Sequence, residues 1–130
     1  MMLSNNFSLA EAQRSMMATR LGIDNSAPPD MVVRLKATAE FILQPVRDHY
    51  GIPFSPSSWY RSIALNRAIG SHDGSQHITG EAADFELSGV SNYDLAKWVS
   101  ENLTFDQLIL EFHTPGVASS GWVHCSMRRS

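Results

Sequence analysis

From Val32 onward the apolar positions Val32, Leu35, Ala39, Ile42, Val46 and Tyr50 recur at spacings of three and four, the stripe of an amphipathic helix that covers a core. Ser26-Ala27-Pro28-Pro29-Asp30 opens this helix, because prolines in a first turn forfeit no amide bond and Asp30 complements the helix dipole. Pro45 predicts a kink and Gly51 the end. Upstream, Phe7-Ser8-Leu9-Ala10-Glu11 has the capping-box spacing of a short helix. Downstream come an extended piece over 52–60, a brief helix from Ser62 to Ile69 stopped by Gly70, and the polar loop 71–76. The second half changes period. Ala82 to Leu87 reads as a strand and Ser91 caps a helix through about Asn102. Phe105–Phe112 and Trp122–Met127 then form an antiparallel hairpin across the turn-rich loop HTPGVASSG. Helices first and strands later predict an α+β fold, with N-terminal helices packed on a small, mainly antiparallel sheet.

Composition narrows the function. With 130 residues, 43% hydrophobic and 18% charged, the chain is expected to fold as one unit over 1–130, residues 1–25 being a helical segment packed on it. A net charge of -3 without a run of Lys or Arg argues against nucleic acid as a partner. No apolar run approaches the roughly 20 residues that cross a bilayer. The first twenty residues carry no signal-peptide core, so synthesis in the cytoplasm is expected. The single cysteine, Cys125, excludes an intramolecular disulfide, any zinc site with two thiolates, and the PCxxC segment of zinc nucleoside deaminases. A metal here must rest on histidine and carboxylate.

Such a set is present. In SQHITGEAAD, His77 precedes Asp84 across a turn at Gly80 and two alanines, so that the chain folds back and both side chains converge. Strand alternation places Trp122, His124 and Ser126 on one side, with Val123, Cys125 and Met127 on the other. On the preceding strand, Gln107, Ile109 and Glu111 oppose an apolar face of Leu108, Leu110 and Phe112. Glu111 and His124 therefore share a face, and Cys125 points to the core. Two histidines, an aspartate and a spare carboxylate suit a catalytic zinc site with an open coordination position.

SQHITGEAAD fits the SxHxxGxAxD motif of the zinc D-Ala-D-Ala peptidases, and GWVHCS resembles their W/H-x-H ending. SSWYRSIALNRAIG is similar to their SGYRS segment and following helix, and FDQLILEF to the strand bearing the catalytic glutamate. The resemblance spans about Phe7 to Met127, closest to small phage-type members, and the family shares its fold with the hedgehog signalling domain. It implies one zinc ion held by His77, Asp84 and His124, with Glu111 as the base for the attacking water. It also implies that Arg61 meets the substrate's developing charge, and that Ser75 and Tyr60 lie against the substrate. The implied activity is hydrolysis of peptidoglycan stem peptides, as a D-Ala-D-Ala carboxypeptidase or an L-Ala-D-Glu endopeptidase. A phage-type lysin of this kind acts on the cell wall after release, and is expected to be monomeric. A zinc-stabilised binding module without turnover and a virion-associated wall-penetration component are the alternatives. Two departures stand out. Trp59 occupies a position where many members have glycine, which is expected to reshape the cleft wall. Trp122 stands where some members carry a second histidine, for which His113 is a candidate replacement.

Overall fold

The computed structural model describes residues 1–127. The capping box forms: Ser8 Oγ accepts from the Glu11 amide and Glu11 reaches back to the Ser8 amide, opening α1 (Leu9–Gln13). The N-terminal segment then breaks at Ser15, whose hydroxyl caps a second short helix, α2 (Met16–Leu21). The long amphipathic helix is interrupted rather than simply kinked. It runs as α3 (Pro29–Thr38), a π-helical turn (Ala39–Leu43) and α4 (Gln44–Tyr50), ending at Gly51. Pro45 has no N–H for the carbonyl four residues back, and its ring crowds that carbonyl. A wider turn, closed by the Gln44 N–H on the Ala39 carbonyl, takes up the misfit just ahead of it.

The apolar stripe is buried as its spacing requires: Leu35, Ala39, Ile42 and Val46 are fully inaccessible. They pack with Phe7, Trp59, Phe85, Leu95, Val99, Val123 and Cys125 in one core. After α5 (Ile63–Ala68), capped by Ser62, come β1 (Ala82–Phe85), α6 (Asn92–Asn102), capped by Ser91, β2 (Leu108–Glu111) and β3 (Trp122–Ser126). The three strands form an antiparallel sheet in the order β1-β3-β2. The architecture is α+β, with the expected hairpin; the strands are shorter than their apolar runs, since 105–107 and Met127 lie outside the ladder.

Register fixes the two faces. Asp84 pairs with His124, Ile109 with His124 on its other side, and Glu111 with Trp122. Ala83, Cys125 and Leu108 lie opposite one another on the reverse face, where Cys125 is fully buried. Glu111 thus shares the face of His124 but stands diagonally from it, directly across from Trp122. One residue departs from alternation. Phe112, expected with Leu108 and Leu110 on the covered face, has φ of 50° and is 80% exposed.

Candidate metal centre

Three segments meet at the site. The first is the turn carrying His77. Its Gly80 adopts φ of +76°, and a Cβ there would stand 2.9 Å from Leu35 Cγ, so glycine is required both for the turn and for its approach to α3. The buried Thr38 hydroxyl donates to the Gly80 carbonyl at 2.8 Å, tying the turn to that helix. Ser75 Oγ accepts the His77 amide at 3.3 Å. The second segment is an extended piece beside β1. Ser57 N–H donates to the Asp84 carbonyl, and the Asp84 N–H to the Ser58 carbonyl. The third is the β1–β3 ladder, which sets His124 beside Asp84.

The result is a compact donor set. His77 Nε2 lies 3.3 Å from Asp84 Oδ1, and His124 Nδ1 lies 2.8 Å from the same oxygen. One donor atom from each of the three residues falls within 4.8 Å of the others. Donors at about 2.0–2.2 Å from a tetrahedral zinc are separated from each other by about 3.3–3.5 Å, so the set fits that ion with little movement. The ring orientation of His77 is also fixed. Its Nδ1 sits 2.7 Å from the Trp59 carbonyl, which can only accept, so this nitrogen carries a proton and Nε2 is the ring nitrogen directed at the site. Burial acts to raise the Asp84 pKa, but hydrogen bonds from His124 and His77 more than reverse this and hold the carboxyl at about 2. Asp84 is therefore an anionic donor at neutral pH.

Arg61 reaches the same carboxylate. Its Nη2 is 3.8 Å from Asp84 Oδ2, its Nε donates to Ser58 Oγ at 3.1 Å and its Nη1 to Asn66 Oδ1 at 3.3 Å. Its backbone N–H donates to the His77 carbonyl. Burial brings the guanidinium pKa below its ordinary value against the opposing pull of Asp84, yet it remains a cation. Glu111 stands at the end of β2 on the same face. Among the described residues its carboxylate has no hydrogen-bond or ion-pair partner. Tyr60 is 6% exposed and lines a groove of about 290 Å³ with Arg61, Ser58, Met16 and Met17.

The chain belongs to the peptidase M15 family, whose profile matches residues 5–126. Membership implies peptidase activity and a dependence on metal. No match was found among curated proteins. Within this M15 chain the remaining histidines are engaged elsewhere: His49 stacks on Trp98, His72 accepts from the Gly74 amide, and His113 is turned into its own loop against Ser120. Trp59 does not shape a cleft wall, because its ring is buried edge-on against Phe7; its contribution to the site is its carbonyl. That contact, and the holds of Ser58 and Asn66 on Arg61, were not foreseen from sequence. A backbone carbonyl leaves no residue-type signal. Asn66 did leave one, as an asparagine inside a short helix where its propensity is poor.

Proposed function

We propose that this M15 peptidase hydrolyses peptidoglycan stem peptides with one zinc ion held by His77 Nε2, Asp84 and His124 Nδ1. The observation that carries the reading is the largely buried three-donor set built where the His77 turn meets the β1–β3 ladder, with the carboxylate of Glu111, unpartnered among the described residues, on the same sheet face as His124. Bound zinc supplies Lewis acidity, polarising the peptide carbonyl and bringing the pKa of water from about 15.7 towards 7.

The chain's own residues do the rest. Glu111 accepts the proton of the attacking water and returns it to the leaving amine. Arg61, already fixed by Ser58 and Asn66, offers a preorganised positive charge to the tetrahedral oxyanion; removing such a donor typically costs about 100- to 1,000-fold in rate. The Trp59 carbonyl keeps the His77 ring in its productive orientation. Ser75 and Tyr60 bound the substrate on the Arg61 side. The net charge of -3, without a run of Lys or Arg, fits release onto thin, accessible peptidoglycan, the setting of a monomeric phage-type lysin.

Glu111→Gln tests the assignment. The variant is expected to retain stoichiometric zinc by elemental analysis while fragment release from purified peptidoglycan, followed by mass spectrometry, falls by at least about 100-fold. Full activity in that variant would sink the role of Glu111; absence of chelator-sensitive cleavage by the unmodified chain would sink the function itself.

A further inference from the structure

Phe112 breaks the alternation of its strand. A bulky residue avoids φ of 50°, the value found here, and strain of this kind persists where surrounding structure enforces it and function uses it. Burial does not repay it, because the ring is 80% exposed. The reversal carries the ring to Trp122, with centroids 5.3 Å apart and planes inclined at 34°. Trp122 is itself only half-buried, pairs directly with Glu111, and shares the face of His124. The two rings therefore make an exposed aromatic surface continuous with the metal-binding face.

Distance selects an occupant. Trp122 lies two residues from His124, about 7 Å along the strand, and the Phe112 ring centroid lies 5.3 Å from that of Trp122. In a peptidoglycan stem, the L-Ala-D-Glu bond is separated from the muramyl sugar by one residue and the lactyl link, about 7 Å when extended. The D-Ala-D-Ala bond is about 17 Å away on the same scale. A pyranose presents a face of C–H groups that suits the electron-rich face of an aromatic ring. We infer that Phe112 and Trp122 stack the muramyl sugar and so direct cleavage to the L-Ala-D-Glu bond. This rests on the peptidase reading above.

The test compares muramyl-L-Ala-D-Glu-L-Lys with the same tripeptide carrying acetyl in place of the sugar, using the zinc-loaded full chain. The expected kcat/KM ratio favours the sugar-bearing substrate by about tenfold, with release of muramyl-L-Ala. Phe112→Gly, which relieves the left-handed backbone and so should fold, is expected to bring the ratio close to one. Equal rates on both substrates in the unmodified chain, or an unchanged ratio in Phe112→Gly, overturns the inference, as does cleavage of peptidoglycan only at D-Ala-D-Ala. A second measurement does not depend on turnover: tryptophan fluorescence of Glu111→Gln titrated with each tripeptide. A saturable change that needs both the sugar and Phe112 supports the platform even if the peptidase reading has failed. No difference between the tripeptides overturns it.

Discussion

Replacing Gly121 with alanine should damage the hairpin out of proportion to the single methyl added. Gly121 precedes β3 with φ of +70°, and a Cβ there would run into the Glu111 carbonyl oxygen and lie 2.8 Å from Phe112 C and 2.9 Å from His113 N. Two costs follow. Holding alanine in the left-handed region costs about 1 kcal/mol. The clash is with backbone on every side, so relief requires the Glu111 contact to lengthen by about 1 Å. That opens the ladder where Glu111 pairs with Trp122 and pulls on the Asn92 side-chain amide that donates to the Gly121 carbonyl at 3.0 Å. Losing two such hydrogen bonds adds about 2 kcal/mol, for a total of about 3 kcal/mol. In a chain of this size that corresponds to a fall in Tm of about 10 °C. Gly89→Ala is the comparator, since Gly89 has φ of +81° but nothing within 4 Å of an added Cβ; it should show only the conformational cost. Urea and thermal denaturation followed by circular dichroism measure both. If the two variants lose stability equally, within about 0.5 kcal/mol, the close-approach reasoning is wrong.

Thr38→Val should cost about 1–2 kcal/mol, because it strips the Gly80 carbonyl of its buried donor, and it should weaken zinc binding by loosening the His77 turn; urea denaturation and competitive zinc titration check the pair of effects. Asp84 has a folded pKa of about 2 against an ordinary 3.8, so the metal-free chain gains stability from it above pH 3.8 and loses that gain, about 2 kcal/mol, as pH falls through 3.8 towards 2. Asp84→Asn should lack this acid-side slope in urea melts at stepped pH, and parallel curves would refute the linkage. Cys125 is fully buried, and burial pushes its thiol up to about 12. A thiol reagent at pH 8 should therefore modify it only at the rate of unfolding, whereas rapid labelling of the folded chain would contradict its place in the core.

Much of this was legible because apolar periodicity and turn chemistry act locally. The stripe from Leu35 to Val46, the Ser8 and Ser91 caps, the Gly80 turn and the parity of β3 each depend on residues within one element. What escaped depended on backbone meeting backbone across the fold. The π turn is a response to Pro45 made several residues upstream of it, and the sequence predicts a disturbance without its form. The Trp59 carbonyl that orients His77, and the Ser57 and Ser58 bridges that bring Arg61 to Asp84, belong to groups that every residue carries. Phe112 was misplaced for the same reason: its apolar side chain fits the covered face, and only the close approach of Gly121 to the Glu111–His113 backbone shows why the chain turns there.

The order of the strands ties the stability of the sheet to the integrity of the site. His124 sits on the central strand, with Asp84 across one ladder and Ile109, two residues before Glu111, across the other. A slip of one residue in either pairing would exchange the two faces of a strand, sending a residue of the donor set or Glu111 into the core and an apolar side chain to the surface. What opposes the slip is the reverse face, where Ala83, Phe85, Val123 and Cys125 are fully buried. Residues outside the donor set therefore decide which side chains converge in it. Substitutions on the buried face that enlarge Ala83 or Cys125 should act on zinc affinity as well as on stability, because overpacking there shifts the two strands that carry Asp84 and His124.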